Sequence, residues 1–143
     1  MKRKTLELIL LLFTAIAATT LVGCAKPELT IVHVSDMHYF SPSLIENEDF
    51  MWKVAMESDG KDTVQSALIA QAFVDDMLKL KPDVVVITGD LTLNGEEASH
   101  EELRDLLGKL KDMGIEVYVM TGNHDVNMTA YRYTNDGVEE VPS

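Results

Sequence analysis

The chain predicts an α/β fold, a parallel sheet built in the order β-α-β-α-β, and three observations carry that prediction. Three short runs rich in β-branched and apolar residues, 30–35, 84–88 and 116–121, read as strands. Two stretches of helical periodicity lie between them, which argues for parallel pairing through right-handed crossovers. Each run ends directly in a chemically rich cluster: Asp36-Met37-His38, Gly89-Asp90 and Gly122-Asn123-His124-Asp125. Open α/β sheets bind ligands outside the carboxyl ends of their strands, so the three clusters are expected to share one rim.

The N-terminus sets the compartment. Lys2, Arg3 and Lys4 precede an apolar stretch over 8–22, which ends in Leu21-Val22-Gly23-Cys24. This is the pattern of a secretory signal. Leu-x-Gly-Cys resembles a bacterial lipobox, in which the signal is cut before the cysteine and the cysteine is lipidated. Residues 1–23 are then a signal peptide, Cys24 the lipidation site and 24–29 a tether. The other reading is an uncleaved membrane anchor; the stretch is near the lower length limit for spanning, and Thr14, Thr19 and Thr20 dilute it. Both readings place the domain, 30–143, at the extracytoplasmic face of the cell membrane. A lipidated Cys24 also explains a lone cysteine with no disulfide partner.

The signal would take with it three of the 12 basic residues and one of the 24 acidic ones, leaving 120 residues with a formal charge of −14. That length suits one small domain. That charge excludes a general binder of nucleic-acid polymers or anionic membranes, because its field repels phosphates. A phosphate-handling site would need local cations, which bound metals supply.

After the first strand, a long connection from Met37 to about Asp62 carries Tyr39, Phe40, Pro42, Phe50 and Trp52, with a short helix expected over 46–58. Connections of this length are usually functional or disordered; the aromatics favour function, with Trp52 either covering substrate or packing on the sheet. From Asp62 to Leu80, Val64, Ala67, Leu68, Ala72, Phe73, Met77 and Leu78 recur at helical spacing, and Pro82 stops the helix. Val84 to Ile87 is continuously apolar, as in a strand covered on both faces. Ser99 with Glu102 predicts a capping box for a second helix, running through Met113 to a Gly114 C-cap. Residues 115–120 form the third strand. No repeat or second domain is visible.

Two carboxylates, an amide and imidazoles at one rim make a site for divalent metals, and mixed nitrogen and oxygen donors suit Mn, Fe or Zn better than Ca or Mg. Alone, Asp-x-His and Gly-Asp are weak signals, because such residues are common in turns. Their co-occurrence behind three ordered strands is the stronger one. His33, inside the first strand, reads as a satisfied structural histidine, and His100 as a solvated or helix-start contact.

The ordered set Asp-x-His, Gly-Asp and Gly-Asn-His-Asp resembles the calcineurin-like metallophosphoesterase family over about 31–127. Ser35-Asp36-Met37-His38, Thr88-Gly89-Asp90-Leu91-Thr92 and Asn94-Gly95 look most like its exported bacterial branch near cyclic-nucleotide phosphodiesterases. The resemblance implies part of an αββα sandwich around two divalent metal ions and a small phosphoester substrate. It implies that Asp36 and His38 bind the first metal, that Asp90 bridges both, and that Asn123 binds the second through its oxygen. His124 would hydrogen-bond the phosphate or protonate the leaving group rather than bind metal, and Asp125 would orient His124. The family completes its metal shells with a later lone His and a Gly-His-x-His motif, whereas no histidine follows His124 here. The expectation is therefore the N-terminal part of an exported phosphodiesterase, as a fragment or a truncated product, whose activity needs the missing ligands. The alternative is a catalytically inert surface lipoprotein that binds metal, phosphate or a partner.

Overall fold

The computed structural model describes residues 28–58 and 60–143. The expected signal peptide, Cys24 and most of the tether lie outside the described residues. Three strands, β1 (Ile31–Ser35), β2 (Val84–Thr88) and β3 (Glu116–Met120), form one parallel sheet in the order β1-β2-β3. Their register pairs Ile31 with Val84 and Glu116, and Ser35 with Thr88 and Met120. The carboxyl ends are therefore level, which brings the three clusters to one edge.

Helix α1 (Glu48–Ser58) lies in the long connection, α2 (Ser66–Leu80) joins β1 to β2, and α3 (Glu97–Asp112) joins β2 to β3. The main core holds Ala70, Val74 and Met77 of α2, Leu103, Leu106, Leu107 and Leu110 of α3, and Val85 and Ile87 of β2. Each buried leucine contributes about 1.5–3 kcal/mol by leaving water. The stripe of α2 that faces this core matches the periodicity reading in part: Met77 is buried and Ala67, Phe73 and Leu78 pack against the core, but Ser66, Ala70 and Val74 are buried beside them and Leu68 is 67% exposed. Lys81 ends α2 in the left-handed region, and Pro82 follows.

The expectation that β2 is covered on both faces is corrected. Val85 and Ile87 are buried, but Val84, Val86 and Thr88 are only partly so. With the order β1-β2-β3 both crossovers step the same way, and α2 and α3 pack together on one face. The capping box is corrected too. Helix α3 starts at Glu97, before Ser99, with no side-chain cap. The Ser99 hydroxyl instead accepts from the Ser41 amide (3.0 Å), and Glu102 accepts from the Tyr39 and Ser41 hydroxyls. Gly114 does end the helix, donating to the Lys111 carbonyl at 2.9 Å.

Beyond β3, a four-residue helix α4 (Asn123–Val126) leads into a hairpin of β4 (Tyr131–Thr134) and β5 (Gly137–Glu140). No element is assigned to this segment from the sequence above. Alternating Tyr131-Arg132-Tyr133-Thr134, then Asn135-Asp136-Gly137, is the hairpin signal that marks it. Tyr133 joins a second core with Phe40, Met51 and Leu93, and its carbonyl accepts the Glu46 amide at 2.7 Å. The long connection is thus anchored by the hairpin. Phe40 and Phe50 serve packing there, while Trp52 stays 53% exposed.

Candidate metal centre

The loops that follow β1 and β2 are zipped together past the strand ends. The amides of His38 and Tyr39 donate to the carbonyls of Asp90 and Leu91 (2.9 Å each), and the Leu93 amide returns to the Tyr39 carbonyl. This pairing places His38 beside Asp90. Their backbones are unusual: Asp36, His38 and Asp90 all have positive φ, at 54°, 43° and 36°, in the region that most side chains avoid. Lys81 is the one other non-glycine residue so placed among those described. Strain of this kind persists where surrounding structure imposes it, and it clusters at functional sites.

The third loop closes on the first two. Gly122 lies so near Asp90 that an added Cβ would stand 2.2 Å from its Oδ1 and 2.3 Å from its amide nitrogen. The close approach lets Asp90 Oδ1 accept the His124 amide at 3.0 Å. The His38 and His124 rings meet edge to face, with centroids 4.9 Å apart. One potential donor atom from each of His38, Asp90 and His124 lies within 4.8 Å of the others.

This group fits a divalent ion. His38 Nε2 and Asp90 Oδ2 are 3.9 Å apart, too far for a hydrogen bond but suited to two donors sharing an ion at about 2.0–2.2 Å each. Burial, aided by Lys61 and His124, outweighs the carboxylates of Asp90 and Asp36 and lowers the His38 pKa. A neutral imidazole is the form that ligates metals. Its Nδ1 is buried without a hydrogen-bond partner, a cost that only some further partner would relieve.

The expected residues are thus only partly gathered. Asp36 is exposed and stands outside the close group, although its charge reaches His38. Asn123 opens α4 and is exposed. His124, expected to act on the phosphate alone, is itself one of the three clustered donors. Asp125 does not bond the His124 ring directly. Its carboxylate accepts the amides of Leu91, Thr92 and Gly122 and the Thr92 hydroxyl. Burial pushes its pKa up, but these four bonds outweigh it and hold the group below the usual carboxylate range. The ring partner is the Leu93 carbonyl, 2.5 Å from His124 Nδ1. A backbone acceptor leaves no residue-type signal, so the sequence could not reveal it.

The remaining histidines fall on either side. His33 Nε2 bonds the Thr88 hydroxyl across the sheet at 2.8 Å, a satisfied histidine on the open face. His100 is more than a helix-start contact: its Nε2 lies 3.5 Å from Thr92 Oγ1 and 4.0 Å from Asp125 Oδ1.

A calcineurin-like phosphoesterase family model matches residues 29–142. The chain belongs to that family. Its members use divalent metals, and the three-stranded parallel sheet with its helices accords with a partial metallophosphoesterase fold. A cAMP/cGMP dual specificity phosphodiesterase of Mycobacterium tuberculosis (strain CDC 1551 / Oshkosh) is 29% identical over 119 residues, covering 82% of this chain and 33% of that protein. A probable glycerophosphodiester phosphodiesterase of Arcobacter nitrofigilis is 44% identical over 48 residues, 34% of this chain and 16% of that protein. The chain therefore spans a third or less of the relatives it matches.

Proposed function

We propose that this chain carries the N-terminal part of a metal-dependent phosphodiesterase held at the outer face of the membrane. The observation that carries the reading is the close group of His38, Asp90 and His124 at the carboxyl edge of a parallel sheet, with His38 and Asp90 held at positive φ. Two similar proteins bear phosphodiesterase names, which supports a small phosphodiester as substrate.

The residues divide the work by their chemistry. Asp36 and His38 would hold one divalent ion, Asp90 both, and Asn123 the second through its side-chain oxygen. Bound Mn, Fe or Zn would neutralise the phosphate and supply a hydroxide at neutral pH. His124 donates through Nδ1 to a carbonyl, so Nε2 is its available nitrogen. When protonated, that atom donates a hydrogen bond to a phosphate oxygen or passes its proton to the leaving oxygen. The buried Asp125 clamp keeps the His124 turn in place while substrate exchanges.

The test is to assay this chain, alone and joined to the C-terminal part of a complete relative, with Mn²⁺ against an aryl phosphodiester. Turnover that appears only in the joined chain, and that His124→Ala there reduces about 100-fold, supports the reading. Tight metal binding by both, with turnover no faster than the metal alone even in the joined chain, supports instead the inert, metal-binding lipoprotein, which the compactness of a three-donor group also fits. Location has its own test. Lipid labelling that Cys24→Ser abolishes is expected, and a mature N-terminus other than Cys24 would refute it.

A further inference from the structure

Asp125 joins two loops. It is 8% exposed. Its Oδ2 accepts the Leu91 amide at 3.0 Å and the Gly122 amide at 2.7 Å; its Oδ1 accepts the amide and hydroxyl of Thr92 at 2.8 Å each. Leu91 and Thr92 follow β2, and Gly122 follows β3. The next residue after Thr92 is Leu93, whose carbonyl takes the proton of His124 Nδ1. The His124 ring is thereby tied from both sides: its own backbone follows Gly122, and its acceptor follows Thr92. A carbonyl can only accept, so Nδ1 must carry the proton and the neutral ring keeps its lone pair on Nε2.

Thr92 is the other half of the clamp. With its hydroxyl proton spent on Asp125, its oxygen accepts the Gly95 amide at 3.0 Å. Gly95 is itself fixed, since a Cβ there would stand 2.9 Å from the Asp125 carbonyl oxygen. Carboxylates that serve catalytic imidazoles commonly bond the ring directly. Here the carboxylate acts one step removed, through backbone.

We propose that Asp125 is a positioning residue: by clamping Leu91-Thr92 to Gly122 it holds the Leu93 carbonyl against His124 and fixes Nε2 as the nitrogen that takes up a proton and, once protonated, donates it to a phosphoester oxygen. The use of Nε2 rests on the phosphodiesterase reading, but the tautomer does not depend on turnover. It can therefore be measured separately.

The experiment is ring ¹⁵N spectroscopy of the metal-free full chain at a pH roughly two units above the ordinary imidazole pKa of about 6.5. The His124 signals are those lost in His124→Gln. Wild type should show the Nδ1–H tautomer alone. Asp125→Asn should shift His124 to a mixture of both tautomers. Thr92→Val should move it the same way, while Thr92→Ser, which keeps the hydroxyl, should not. A wild-type Nε2–H tautomer overturns the proposal, as does an unshifted His124 in a folded Asp125→Asn. Should Asp125→Asn fail to fold, identical tautomers in Thr92→Val and Thr92→Ser overturn it. Absent turnover in the chain joined to the C-terminal part of a complete relative, with the tautomer responding as stated, would count against the phosphodiesterase reading and for the clamp.

Discussion

At the scale of the residue, two glycines make opposite predictions. Gly122 allows the Asp90 contact by steric room: its φ is −106°, so no left-handed backbone is involved. Gly122→Ala would drive a methyl into the Asp90 carboxylate and amide, costing about 1–3 kcal/mol and at least 10-fold in metal affinity. Gly108 lies within α3 with nothing within 4 Å of an added Cβ. Gly108→Ala should stabilise by about 0.5–1 kcal/mol, because glycine is a poor helix former. Thermal melts and metal titrations of the pair check both signs. Asp90 and His124 separate in the same way. Asp90→Asn removes a carboxylate that no other residue in the close group duplicates, so most metal should be lost. His124→Ala leaves His38 and Asp90 in place, and should keep more metal than Asp90→Asn. Equal metal content in the two would contradict the division. The residues of the close group were legible because strand ends announce them, as with His38 and Asp90. The Leu93 carbonyl and the Asp125 amide bonds were not, because backbone atoms have no sequence letter.

At the scale of the element, α3 shows how local rules yield to packing. Ser99-x-x-Glu102 has the spacing of a capping box, yet both side chains bond the Tyr39–Ser41 segment instead. The helix begins earlier, behind Glu96. That residue is fully buried, and neither carboxylate oxygen has a hydrogen-bond partner. Burial raises its pKa above 4.5, only partly offset by the nearby amides of Glu96 and Asn94 and the Ser99 hydroxyl. A carboxyl with a raised folded-state pKa binds its proton more tightly in the native state. Its contribution is fully present below the unfolded value and is lost as pH rises towards the folded one. Glu96→Gln, which cannot ionise, should therefore gain stability on wild type as pH rises above about 4.5, reaching roughly 1–3 kcal/mol at neutral pH. Denaturant midpoints at pH 4 and pH 7 measure this; an equal difference at both would show that Glu96 stays unperturbed. The hairpin β4–β5 teaches a related lesson. Its alternation was present in the sequence, but its purpose, bracing Phe40 and Ile45 through Tyr133, needs contacts that no local pattern contains.

At the scale of the whole molecule, the parallel sheet was legible from strand and helix order, but its coverage was not. Periodicity reports that Val84 to Ile87 are apolar; it does not report how many layers cover them. The register sets Ile31, Val84 and Glu116 in one row, His33, Val86 and Tyr118 in the next, and Ser35, Thr88 and Met120 in the third. All nine point away from the helices, and Ile31, Tyr118 and Met120 are 56%, 59% and 63% exposed. Among the described residues no strand pairs with the outer edge of β3, which borders this face, so backbone groups sit beside apolar side chains. Open apolar faces next to open edges promote association. The formal charge of −12 opposes it by mutual repulsion, and salt screens that repulsion within about 8 Å at physiological ionic strength. Self-association should therefore strengthen as salt rises, the reverse of an ion-paired contact. Tyr118→Lys sets a charge in the middle row beside Glu116 and should weaken association several-fold at every salt concentration. It should leave the melting temperature within a few degrees, because the side chain is mostly in water. Sedimentation across a salt series decides the matter. A monomer at all salts, or a dimer that Tyr118→Lys does not weaken, would mean that this face is not where copies of the chain meet.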